Sequence, residues 1–199
     1  MARTIRLILW VLVALALAML AYLSLRPTGT TSDTNESEAA LSLGGPFTLA
    51  GSDGKPFSSA RLNGRPHAIF FGFTHCPDVC PTTLARMVRL RNQLGKGDQA
   101  FDIVFVSVDP ERDGPKEVSA YTQLFGSPII GLTGSPAEIA RVKKQFGIFS
   151  EKVPDGDGGY TVDHTATVLL FGKNGKFDST IAPEEQDGPA LDKLKRLTT

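Results

Sequence analysis

The sequence has no net charge, no internal repeat and no glycine-rich phosphate loop, and it contains only three histidines and two cysteines. Each shortage narrows the function. With 21 basic and 21 acidic residues, the chain lacks the basic face expected of a nucleic-acid binder. The glycines at 156, 158 and 159 lack the strand and helix context of a phosphate cradle. All thiol chemistry must fall on Cys76 and Cys80, and any imidazole ligand must be His67, His75 or His164.

What is present begins with an apolar run. Arg3 and Arg6 precede it, and Leu7 to Leu25 is interrupted only by Ser24. Nineteen residues at about 1.5 Å each make about 28 Å of helix, close to the ~30 Å hydrocarbon core of a bilayer. Residues 1–26 are therefore expected to be an uncleaved single-pass anchor. A cleaved signal peptide is the alternative, although Ala16-Leu17-Ala18 lies inside the apolar run. No Lys or Arg follows Arg26 until Lys55, so the positive-inside rule leaves the N-terminus in the cytoplasm and the rest outside. The anchor starts within a few residues of Met1, which favours a bacterial cytoplasmic (inner) membrane with a periplasmic domain. Residues 27–41 are polar and read as a flexible linker. Without residues 1–26, 18 basic residues face 21 acidic ones.

Residues 42–199 read as one globular domain. Ala68 to Phe73 is continuously apolar, as in a strand buried on both faces. A helix is expected to follow to about Leu94, with Leu84, Met87 and Val88 facing inward. Phe101 to Val108 is the next strand, Pro115 opens a helix, and Ile129 to Leu132 is a short strand. Ser135, Pro136 and Glu138 form the start of a capped helix. After Phe149 comes a polar segment, Pro154 to Gly159, and His164 reads as the opening of a strand through Phe171. Asn174-Gly175 marks a hairpin turn, and Asp187 to Leu197 a closing helix. The expected architecture is α/β: a central mixed sheet flanked by helices.

The chemistry concentrates in Phe73-Thr74-His75-Cys76-Pro77-Asp78-Val79-Cys80-Pro81. On a helix, positions four apart share a face. Such a pair suits a redox disulfide or a two-thiolate clamp for a soft metal ion. A purely structural bridge would close a loop of only five residues and contribute little, about 2 kcal/mol. A helix N-terminus would favour the Cys76 thiolate. Three intervening residues, where the familiar redox spacing has two, weaken the redox reading. A trigonal metal site would need an imidazole. His75 would point away from converging thiolates, and His67 lies at the far end of its strand. His164, in Val162-Asp163-His164-Thr165, is the open candidate. Asp78 is expected to stabilise the helix start or to aid docking. Asp163 is a candidate to orient His164, and Asp109 reads as an exposed strand-end residue.

The stretches Gly72 to Thr82, Val106-Ser107-Val108-Asp109-Pro110-Glu111-Arg112-Asp113, Gly131 to Gly134 and Val162 to Thr165 closely resemble the Sco/SenC family of membrane-anchored copper proteins. The likeness covers about residues 42–197. It implies a thioredoxin-like fold and copper ligands at Cys76, Cys80 and His164. It also implies a metallochaperone that supports assembly of the dinuclear copper site of cytochrome c oxidase. The implied cargo is Cu(I), with Cu(II) an option. The implied partners are the oxidase's copper-site subunit, other copper chaperones and thiol–disulfide oxidoreductases. Two alternatives stay open: a thiol–disulfide oxidoreductase using Cys76 and Cys80 to reduce the oxidase subunit, and a redox or copper sensor.

Overall fold

The computed structural model describes residues 2–25, 43–156 and 158–199. The chain divides into two compact units, Met1–Leu41 and Ser42–Thr199. In the first, Ala2–Leu25 forms helix α1. Several of its side chains, Leu7, Leu9 and Leu23 among them, lie outside the described set. Counted over the described residues alone, no helix is long and apolar enough to cross a membrane. The anchor therefore rests on the sequence. The expected linker, 27–41, also lies outside the described residues.

In the second unit a seven-stranded mixed sheet is built from β1 (Thr48–Gly51), β2 (Pro56–Ser58), β3 (His67–Gly72), β4 (Asp102–Ser107), β5 (Ile130–Thr133), β8 (Val168–Phe171) and β9 (Phe177–Ile181). Their order is β2-β1-β5-β4-β3-β8-β9. Helices α2 (Val79–Gln93), α3 (Pro115–Gln123), α4 (Pro136–Gln145) and α5 (Asp187–Leu197) complete the fold. Helix α4 starts with the expected capping box between Ser135 and Glu138. Every residue of β3 is buried, which explains its unbroken apolar run. From α2, Leu84, Met87 and Leu90 join the core; burying each stabilises by about 1.5–3 kcal/mol.

Register places the site. Strands β3 and β4 run parallel, with Gly72 opposite Ser107, so both end together. The Val108 amide donates to the Gly72 carbonyl at 2.8 Å, holding the two following loops side by side. Strand β8 runs antiparallel to β3, pairing Ile69 with Leu169 and His67 with Phe171. Its first residue thus lies toward the end where β3 finishes, and the residues just before it reach the loop that follows β3.

One region departs from expectation. Residues 150–164 are not a polar loop followed by a strand. Strands β6 (Ser150–Pro154) and β7 (Tyr160–His164) pair antiparallel as a separate two-stranded ribbon. His164 closes β7 rather than opening β8. The alternation was masked because exposed Glu151, Lys152 and Asp163 interleave with few apolar residues.

Candidate metal centre

Cys76 lies in the loop after β3, and its amide donates to the Phe73 carbonyl at 3.3 Å. Cys80 is the second residue of α2 and is fully buried, while Cys76 is half-buried. Both thiols are free. Gly72 forms the floor: a Cβ there would lie 2.8 Å from Cys80 Sγ. The absence of a side chain at Gly72 is what lets the helix bring its sulfur onto the strand end.

His164 arrives from β7. Its Nε2 is 3.3 Å from Cys80 Sγ. Its Nδ1 is 3.1 Å from the Thr165 carbonyl oxygen, so the hydrogen-bond pattern assigns the ring proton to Nδ1. The Nε2 lone pair is then free to face the sulfurs, the arrangement usual for a metal-bound imidazole. Phe70 and Phe73 meet the ring edge-on, at centroid distances of 6.0 and 5.8 Å. The ligand atoms of Cys76, Cys80 and His164 all lie within 4.8 Å of one another, a group able to hold a metal ion. The sequence left His164 open among three histidines; folding selects it. His67 is buried at the opposite end of β3, stacked on Phe171. His75 is exposed and faces Thr74 and Asp113.

The two thiols are electrostatically unequal. Cys76 is lowered to about 4, chiefly by the hydrogen bond from the Cys80 thiol. The amides of Cys80 and Asp78 add to this, while burial opposes it. The Cys80 amide donates to Cys76 Sγ at 3.3 Å. Cys80 is pushed far up, first by the neighbouring Cys76 sulfur and then by burial. The largest cause is thus the partner cysteine, where the sequence pointed to the helix N-terminus. Two thiolates crowded in a buried site repel, and a cation between them would relieve that repulsion.

Sequence reading missed the support around this trio. Asp109 is not exposed: it is fully buried. It accepts from Tyr160 Oη at 3.0 Å and from Arg112 Nε at 2.5 Å. Asp113 is equally buried and accepts from the Thr74 amide, Thr74 Oγ1 and Ser107 Oγ at 2.8, 2.6 and 2.6 Å. The available signal was three carboxylates and an arginine in the five residues 109–113, just after a strand with a buried apolar centre. Asp78 is the N-cap residue of α2 but makes no side-chain cap bond. Asp163 is exposed.

The SCO1/SenC family model matches residues 35–199. Over 155 residues the chain is 37% identical to the mitochondrial Protein SCO1 homolog 1 of Arabidopsis thaliana, a match covering 72% of this chain and 46% of that protein. The chain thus spans about half the length of that relative. Among solved structures, Bradyrhizobium japonicum ScoI with copper bound is 42% identical, with a TM-score of 0.70. That match covers 78% of this chain and 99% of the other. BsSco, described as a member of the Sco family of cytochrome c oxidase assembly proteins with a disulfide switch, is 28% identical. Its TM-score is 0.62, covering 80% of this chain and 95% of BsSco.

Proposed function

The chain belongs to the SCO1/SenC family, and from that membership we propose that it is a membrane-anchored copper metallochaperone supporting assembly of the copper site of cytochrome c oxidase. The observation that carries the reading is the convergence of Cys76, Cys80 and His164 to within 4.8 Å. Two thiolates and one imidazole make a soft, trigonal donor set, which suits Cu(I). Copper is cargo here. The half-buried Cys76 offers a partner's ligand an approach, while the buried Cys80 and the imidazole keep hold until exchange is complete. The partner is the oxidase subunit that houses the dinuclear copper site. Residues 1–26 hold the protein in the cytoplasmic membrane, with residues 42–199 on the outer side.

A second reading has its own support. A thiol held near 4 is a thiolate at neutral pH, ready to attack a partner's disulfide. Through a mixed disulfide, both sulfurs here would end as one disulfide, and the partner would gain two electrons, one proton from the Cys80 thiol and one from water. Oxidation would also remove both copper ligands, so loading and redox state are coupled.

The test compares the reduced 42–199 domain with its Cys76→Ala, Cys80→Ala and His164→Ala variants. One copper per chain is expected for the parent, and loss of tight binding in all three variants. A His164→Ala protein that still reduces the oxidase subunit, while the parent transfers no copper, would favour the oxidoreductase. The anchor predicts that the full chain stays with membranes after an alkaline wash. Release into the supernatant would contradict it.

A further inference from the structure

The three metal-site residues stand on two structures that share no backbone ladder. The cysteines belong to the β3–α2 loop of the main sheet, and His164 to the separate β6–β7 ribbon. One five-residue turn after β4 grips both. On the cysteine side, Asp113 takes both the amide and the hydroxyl of Thr74, two residues before Cys76. On the histidine side, Asp109 takes the Tyr160 hydroxyl, and Arg112 Nη1 donates to the Tyr160 carbonyl at 2.9 Å. The Arg112 guanidinium lies 3.8 Å over the Tyr160 ring. Ser107 Oγ ties the turn to itself: it receives the Asp109 amide at 3.1 Å and donates to Asp113. Both carboxylates are 0% exposed, so these bonds are shielded from water. Tyr160, Val162 and His164 alternate onto one face of β7, so a grip on Tyr160 fixes the pitch of the strand that ends in the imidazole.

We propose that the turn Asp109–Asp113 is a bracket that sets the gap between the thiolates and the imidazole, with Tyr160 as the positioning residue on the histidine side. This rests on the copper reading above. The bracket makes the site a preformed trio rather than a thiolate pair awaiting a wandering histidine. The ribbon has other fastenings. The Lys152–Glu111 pair is solvent-exposed, at 42% and 61%. Val162 is buried in the core, and Lys143 Nζ donates to Ser150 Oγ at 2.5 Å, opposite His164 in register. Of these fastenings, only the 109–113 turn also grips the cysteine loop, through Thr74.

The experiment is a double-mutant cycle on Cu(I) affinity, read by competition with a chromophoric Cu(I) chelator. The four reduced proteins are the parent, Tyr160→Phe, His164→Ala and the double variant. Tyr160→Phe keeps the ring and removes only the hydroxyl. It is expected to weaken Cu(I) binding by about tenfold. In the His164→Ala background the same change is expected to cost nothing, because Tyr160 acts through His164. Amide exchange of the copper-free Tyr160→Phe chain is expected to quicken in Ser150–His164 and to stay unchanged in β3 and β4. Three results would overturn the proposal: unchanged affinity in Tyr160→Phe, the same loss with and without His164, or faster exchange throughout. A parent protein that binds no Cu(I) would instead remove the copper reading itself, and the proposal with it.

Discussion

In the reduced chain Cys76 loses its proton well before Cys80, because the fully buried Cys80 thiol donates to it and cannot itself shed a proton beside a neighbouring thiolate. This has a consequence for stability. The folded value of Cys76 is about 4, against 9.0 for a free thiol. A depressed value contributes stability that is fully present above the unfolded value and lost as pH falls through the folded one. Between those limits the unfolded chain holds one more proton than the folded chain, so stability rises with pH. Above 9.0 the sign reverses, because the unfolded chain also releases the Cys80 proton that the folded chain retains. Urea unfolding of the reduced 42–199 domain should show the midpoint climbing from about pH 4 toward about pH 9 and then falling. In Cys76→Ser the climb should shrink. An equal pH dependence in both proteins would show that Cys76 is not the group responsible.

At the scale of elements, the site exists because β3 and β4 end in register and α2 begins almost on top of them. Gly72 is the point of closest approach. An added Cβ would meet Cys80 Sγ at 2.8 Å, Phe70 Cε1 at 3.0 Å and Phe105 Cε2 at 3.1 Å. Gly72→Ala should therefore destabilise the domain by about 1–3 kcal/mol. It should also displace Cys80 and weaken copper binding, as thermal unfolding and chelator competition would show. Full retention of both would mean that α2 shifts freely, against the geometry described here. The β3 run, the α4 cap and the Cys76–Cys80 spacing were legible in the sequence, because each is a local pattern with a local cause. The β6–β7 ribbon was not. Its residues are mostly polar and partly exposed, so no apolar alternation announced it. Asp109 was misread for a related reason: a carboxylate after a strand is usually solvated. Its burial is matched by Arg112, three residues on, and by the long-range partner Tyr160, 51 residues away.

For the whole molecule, the proposed function depends on residues 84 apart in sequence, Cys80 and His164, meeting at the end of a mixed sheet. No local signal encodes that meeting. It follows from β8 returning antiparallel beside β3, which delivers the preceding segment to the cysteine loop. Motif resemblance supplied the trio before the fold did, and the topology gives the physical reason for it. The measurement that tests this most directly is X-ray absorption at the copper edge of the Cu(I)-loaded 42–199 domain, with and without His164→Ala. Two sulfur scatterers and one imidazole nitrogen per copper are predicted for the parent, with that nitrogen lost in the variant. A nitrogen that survives the substitution, or an all-sulfur shell in the parent, would contradict the account.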